Sequence, residues 1–360
     1  MKMKLVICTK DNQYAARFMN YFDVHYADRM ELIQFTDAVL LGQYISREHL
    51  DICLMDKEML KALEAVMKEH ATIVVLTEDR DEEAGAYPCI YKYQKAEMIF
   101  KELLNIYADG KSGLKSFRKR SSNEARSYVF CSASGGAGAT TVALAYAIRQ
   151  AREKSVLYLN LQQYSNADLI LKGEGTGKFD DVIFALKSKR GALSLKLESL
   201  VRKSKENVNF FVSCDNPLDL QELTVEEIEK LLKEVISCGL YQEVIIDIDS
   251  KLSPLEIAVM EQVEHIILVE GGTVSNSMKF GKFYRALEAV EDKMRKAFLS
   301  KLLLFYNQFS NKTSIEIEKN LAHVIGGIPR FEGVNMEGII SRIVMMDVFD
   351  QLRDLENEER

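Results

Sequence analysis

Proline is scarce in this chain, 4 residues in 360, which leaves little room for proline-rich linkers. No apolar run approaches the ~18 residues that a membrane-spanning helix needs. The opening run Met1–Cys8 stops at Thr9-Lys10-Asp11. That is short of the ~7–15-residue core of a secretory signal, so it reads as a first strand. The six cysteines (8, 53, 89, 131, 214, 238) show no paired short spacing, and the five histidines are scattered. A disulfide scaffold and a His/Cys metal site therefore have no support. Basic residues are in deficit, 47 against 54 acidic, for a net charge of -7. Such a balance suits general nucleic-acid binding poorly. These absences point to a cytoplasmic protein whose membrane contact, if any, is peripheral. What is present is an ordinary globular mixture, 47% apolar and 28% charged, long enough for two domains.

Strand and helix patterns alternate through the first part of the chain. Strands are predicted at Leu5–Cys8, Glu31–Phe35, Leu50–Met55, Ile73–Leu76 and, weakly, Cys89–Tyr91. Helical spacing falls at Tyr14–Phe22, Ala38–Ile45, Leu60–Glu69 and Ala96–Tyr107. This alternation implies a parallel sheet covered on both faces. A Gly/Ser-rich, basic stretch at 109–127 reads as a solvated linker. From Tyr128 the alternation resumes, with strands at Tyr128–Cys131, Val156–Leu159, Val208–Val212, Val244–Ile248, Ile266–Val269 and Leu302–Tyr306. The clearest long helical pattern is Val225–Ser237. The expected organisation is two doubly wound α/β domains, 1–108 and 128–346, joined by 109–127 and followed by an acidic tail, 347–360.

The strongest local signal is the run from Tyr128 through Gly135-Gly136-Ala137-Gly138-Ala139-Thr140-Thr141. A short apolar strand enters a Gly-rich turn, and a helical pattern follows. Glycines let backbone N–H groups converge on phosphate oxygens, and a helix N-terminus favours the same anion. A threonine hydroxyl at that point can ligate Mg²⁺. The plain alternative is a tight strand–helix turn that binds nothing.

This stretch resembles the deviant Walker A motif of MinD/ParA P-loop ATPases, with Ser134 and Ala139 where that family has lysines. Further motifs follow in the family's order. Asn160 and Gln162 stand where the second strand normally ends in Asp-x-Asp. Asn166-Ala-Asp168-Leu matches a following stretch, and Glu243–Asp247 resembles the Walker B strand. Ile266–Ser275 resembles the strand leading to the dimer-facing helix. Leu303–Asn307 and Val324–Pro329-Arg330-Phe331 resemble the segments beside the adenine. The resemblance covers 128–344 and implies binding of ATP with Mg²⁺. Residues 135–141, Asn307, Pro329, Arg330 and Phe331 would hold the nucleotide, and Thr140 and Asp247 the metal. Lysines stabilise charge in phosphoryl transfer, so their loss implies slow or absent hydrolysis. Asp249 is a weak candidate to replace the carboxylate missing at Gln162. Otherwise it is a solvated loop residue.

The first domain resembles a response-regulator receiver. Asp56 takes the phospho-acceptor position, Thr77 the hydroxyl position, and Lys92 stands near the family's lysine. Thr9-Lys10 occupy the place of the acidic metal-binding pair, with Asp11 next. A Lys10 ammonium there would repel a metal and could pair with Asp56. The site is therefore expected to be vestigial. The combination is similar to the TadZ/CpaE family, whose members position the machinery that assembles tight-adherence (Flp, type IV-like) pili. That resemblance implies a nucleotide-regulated homodimer. Its partners would be pilus or secretion proteins or polar landmarks, at the inner membrane face of a cell pole. A second reading is an active ParA-like ATPase that segregates DNA or another cargo. Lys187, Lys189, Arg190, Lys196, Arg202, Lys203 and Lys205 would supply its basic face.

Overall fold

The computed structural model describes residues 2–60, 71–110, 124–188, 192–312, 314–317 and 321–352. The chain divides into two compact units, and each is described by itself.

The first unit contains β1 (Met3–Cys8), α1 (Asn12–Tyr26), β2 (Met30–Phe35), α2 (Ala38–Ile45), β3 (Ile52–Asp56), β4 (Thr72–Thr77), β5 (Cys89–Tyr91) and α3 (Ala96–Gly110). The sheet is parallel, in the order β2-β1-β3-β4-β5. Its central strands are apolar on both faces because helices cover both. Helix α1 starts where the Asp11 carboxylate accepts the Tyr14 N–H, and it buries Ala15, Phe18 and Phe22. It is longer at both ends than the apolar spacing predicts, because the added residues other than Tyr26 are exposed and do not continue the buried stripe. Most of the predicted helix Leu60–Glu69 lies outside the described residues, as does most of the linker at 109–127.

The first unit is not one continuous stretch of chain. The helix Leu193–Leu200 clusters with it, although the alternation assigns those residues to the second domain. Ala192 and Leu195 join its core. The Glu198 carboxylate accepts two hydrogen bonds from Arg29, at 2.5 and 2.6 Å, and Lys196 pairs with Asp109 at 2.8 Å.

In the second unit come β6 (Arg126–Cys131), α4 (Ala139–Gln150), β7 (Val156–Asn160), α5 (Phe179–Ser188), β8 (Arg202–Lys203), β9 (Asn209–Phe210), α6 (Val225–Ser237), β10 (Glu243–Asp247), α7 (Pro254–Gln262), β11 (His265–Glu270), α8 (Val274–Met294), β12 (Leu302–Phe309), β13 (His323–Pro329) and α9 (Met336–Val344). The strand order is β13-β12-β11-β6-β10-β7-β9-β8, parallel except between β8 and β9. Helix α6 has the predicted span, and a Thr224/Glu227 capping box starts it. Predicted strand Val208–Val212 shrinks to Asn209–Phe210, which pairs with β7 only at Leu157 and Tyr158. Strand β13 does not read as a strand by pattern, because Gly326-Gly327 interrupts it. Gly326 has φ +154°, and a side chain there would strike the Val348 carbonyl.

Because β6 and β10 are parallel neighbours, the ends of both strands open on the same side of the sheet. Asp247 lies opposite Phe130, just before the Gly-rich turn. Open parallel sheets bind ligands at these carboxyl ends.

Candidate functional site

Strand β6 delivers the chain into the turn Ser132–Gly138. Gly136 (φ +77°) and Gly138 (φ +88°) take left-handed conformations that other residues rarely adopt. Gly138 precedes α4 and offers no side chain to cap its first N–H groups. Those donors remain for a ligand. The Asn307 amide donates to the Ala137 carbonyl at 2.6 Å, tying the turn to β12. A Cβ on Gly138 would collide with that amide.

A cavity of about 610 Å³ lies over this turn. Of the residues predicted to hold nucleotide or metal, all line it except Ala137 and Asp247. Thus Gly135, Gly136, Gly138, Ala139, Thr140 and Thr141 are brought together with Asn307, Pro329, Arg330 and Phe331. The Arg342 guanidinium lies 5.6 Å from the centre of the Phe331 ring, supporting the apolar wall. Ser134 is buried, and its hydroxyl has no hydrogen-bond partner.

Asp247 is fully buried beneath the turn. Tyr158 donates its hydroxyl to Oδ2 at 2.8 Å, and Oδ1 has no hydrogen-bond partner. Burial pushes the carboxyl up to about 7, against the Tyr158 hydrogen bond and the nearby Thr140 hydroxyl, which favour the ionised form. An orphaned buried carboxylate oxygen next to a threonine hydroxyl suits a hard cation. The Thr140 hydroxyl donates to Gln162 Oε1 at 3.0 Å. Nearby, Asn160 Oδ1 accepts the Gln162 N–H at 2.9 Å, and its amide donates to Ser165. These neutral amides brace the loop and offer no carboxylate. Asp249 lines the cavity, and its Oδ2 accepts the Gln163 N–H and the Lys251 ammonium, both at 3.2 Å. Tyr158, Gln163 and Lys251 carry no motif of their own in the sequence. Tyr158 is two residues before Asn160, so it shares its strand face, and that spacing is the one signal that could have found it.

The receiver-like site closes on itself. The Thr9 hydroxyl donates to Asp56 Oδ2 at 2.6 Å, and the Lys10 backbone N–H points to the same oxygen at 3.3 Å. The expected pairing of the Lys10 ammonium with Asp56 does not occur. That ammonium lies 3.7 Å from Glu58, and its side chain is exposed. Lys92 is buried and pairs with Asp11 at 3.1 Å and Glu78 at 3.5 Å. Burial alone would lower the Lys92 ammonium, but Asp11 and Asp56 outweigh it and raise it. Thr77 donates its hydroxyl to the Ile90 carbonyl at 3.4 Å. The residues converge, yet Thr9 stands where a metal-binding acid would be needed.

The basic run is engaged in part, and Lys203 and Lys205 are exposed. Lys187 pairs with Glu222 at 2.6 Å and Lys196 with Asp109, while Arg202 donates to the Gly177 carbonyl. Lys189 and Arg190 lie outside the described residues. Among the described residues no cluster of His, Cys, Asp and Glu could by itself hold a metal ion. No described helix is long and apolar enough to cross a membrane.

The family model of the TadZ-like receiver domain matches residues 1–108. The ParA family ATPase of Chlorobium tepidum TLS is structurally similar, with a TM-score of 0.52 at 20% identity, over 65% of this chain and 98% of that one. MinD of Pyrococcus horikoshii OT3, solved with Mg-ADP, has a TM-score of 0.50 at 19% identity, over 65% and 96%. The ATP complex of a McdA variant from Cyanothece has a TM-score of 0.51 at 14% identity, over 65% and 96%. At such identities the likeness establishes the fold. No curated protein sequence matches the chain.

Proposed function

We propose that this chain, whose residues 1–108 are a TadZ-like receiver domain and whose second unit has the ParA/MinD fold, is a nucleotide-regulated localisation scaffold for tight-adherence pili. It binds ATP with Mg²⁺ and hydrolyses it slowly or not at all. The observation that carries the reading is the Gly-rich turn itself. It offers uncapped N–H groups at the head of α4 over a nucleotide-sized cavity, with no lysine at 134 or 139. Backbone donors and a helix N-terminus favour a ground-state phosphate. Without lysines they do little for charge that builds during phosphoryl transfer.

Thr140 and Asp247 would hold Mg²⁺, which supplies positive charge to the phosphates. Asn307, Pro329, Arg330 and Phe331 would receive the base and its sugar. ATP then acts as a ligand that shifts an assembly equilibrium towards a homodimer. The receiver-like domain, with Asp56 already engaged by Thr9, serves as a docking module for pilus or secretion proteins or a polar landmark. Recruitment is to the inner membrane face. For the DNA-segregating alternative, Lys187, Lys196 and Arg202 are already engaged, while Lys203 and Lys205 are exposed.

The test is calorimetry with Mg-ATP and phosphate release on one purified sample. Binding is expected, lost in Gly138→Val, with turnover far below the usual ~1–10³ s⁻¹ of enzymes. Brisk turnover would reject the scaffold reading in favour of an active cargo-moving ATPase. Absence of binding would leave the fold as an interaction platform only.

A further inference from the structure

A triphosphate brings several negative charges into a cavity whose Gly-rich turn carries no lysine. Among the described residues lining that cavity, Arg330 is the only basic one. Arg330 follows β13, three strands away from β6 in the sheet. At ~4.8 Å per strand that is about 14 Å from the strand that feeds the turn. The loop after β10 begins one strand away, and Lys251 lies in it.

That loop is fixed at both sides of Lys251. The Ser250 hydroxyl donates to the Ser132 carbonyl, at the start of the Gly-rich turn. Leu252 takes a left-handed φ of +52°, and Ser253 caps α7. Between these anchors the Lys251 side chain is 59% exposed. Its ammonium rests on Asp249 Oδ2 at 3.2 Å and Gln163 Oε1 at 3.1 Å, and Asp249 lines the cavity. An exposed lysine–aspartate pair is worth only ~0–1 kcal/mol, so a phosphate oxygen competes with it readily.

We infer that Lys251, from the loop after β10, is a cation that holds the ground-state phosphates of a bound nucleotide in this site, which has no lysine at 134 or 139. It leaves Asp249 to meet the terminal phosphates. The inference rests on the nucleotide-binding reading above.

The experiment is calorimetry of the full chain with Mg-ATP and with AMP, comparing wild type, Lys251→Gln and Lys251→Arg. A charge-assisted contact predicts that Lys251→Gln weakens Mg-ATP about tenfold or more and AMP less than about twofold. Lys251→Arg keeps the charge and is expected to stay within about threefold of wild type. Thermal unfolding of the free variants checks that they fold as wild type does. If wild type binds ATP and Lys251→Gln binds it equally well, the inference is overturned. An equal loss for AMP, or an arginine variant as weak as the glutamine one, overturns it too. If wild type binds no nucleotide, the functional reading itself fails, and this inference with it.

Discussion

Buried carboxylates in this protein fall into two groups. Asp51 accepts from the Lys4 N–H at 2.9 Å and the Tyr107 hydroxyl at 2.6 Å, so its burial is compensated. Glu270, at the end of β11, is fully buried, and neither of its oxygens has a hydrogen-bond partner. Burial pushes it up to about 7, with the Gly272 N–H and Lys279 pulling the other way. Its folded-state value therefore lies above its unfolded one, 4.5. Between those two values the folded state holds a proton that the unfolded chain has released. Stability from this group is full below the unfolded value and falls as pH rises towards about 7. Glu270→Gln removes that loss. It is expected to be about 1–3 kcal/mol more stable than wild type at pH 8 and nearly equal at pH 4.5. Urea unfolding at both pH values measures this, and an equal effect at both would show that the charge is not responsible. Asp247 shifts in the same direction, from 3.8 to about 7, but a bound cation would relieve it. Mg²⁺ with ATP should therefore flatten part of the wild-type pH dependence and leave the Glu270 part unchanged.

The Gly-rich turn is held from outside its own sequence. Asn307 on β12 donates to Ala137, 170 residues earlier. Asn307→Ala removes that bond and leaves a hole beside Gly138. Hydrogen exchange at the amides of 135–139 is expected to quicken roughly 5–30-fold, as a loss of about 1–2 kcal/mol of local protection. Exchange unchanged there would mean that the turn needs no latch. This pairing marks a limit of what the sequence reveals. The turn itself was legible, because its glycines, its strand and its helix are adjacent in the chain. So were β10 and α6, whose apolar runs and capping residues are local. Asn307 was expected to touch the adenine, and its grip on Ala137 was not visible, since no local pattern reports a contact across the sheet. Strand β13 was missed for a different reason. Its two glycines weaken the strand pattern, and only the close approach of Val348 to Gly326 and of Tyr306 to Gly327 explains why glycine is needed. The Thr9–Asp56 bond has no local sequence signal, since a threonine after an apolar strand is ordinary.

At the scale of the whole molecule, the sequence suggests two domains in series, yet the described chain leaves the first unit after 110, returns to it at 187/188 and leaves it again at 200/201. Apolar periodicity shows that the helix Leu193–Leu200 must bury one face, but it does not say in which core. The deciding contact is the Arg29–Glu198 pair, 169 residues apart in sequence, with side chains 12% and 15% exposed. The Arg29 guanidinium also lies 5.1 Å from the centre of the Phe100 ring. Removing one partner leaves a poorly solvated charge, so Glu198→Ala should destabilise the first unit by about 2–4 kcal/mol. Arg29→Ala should do the same, and the double variant should cost less than the sum of the two. A protease site placed in 111–123 gives a direct readout. After cleavage, the fragment that carries the five-stranded sheet of the first unit still holds the Leu193–Leu200 helix of the other fragment. The two are expected to co-elute in gel filtration for wild type and to separate for Glu198→Ala. Separation of the cleaved wild type would show that the helix does not hold the first unit. Co-elution of the cleaved Glu198→Ala variant would show that the apolar contacts of Ala192 and Leu195 suffice without the ion pair.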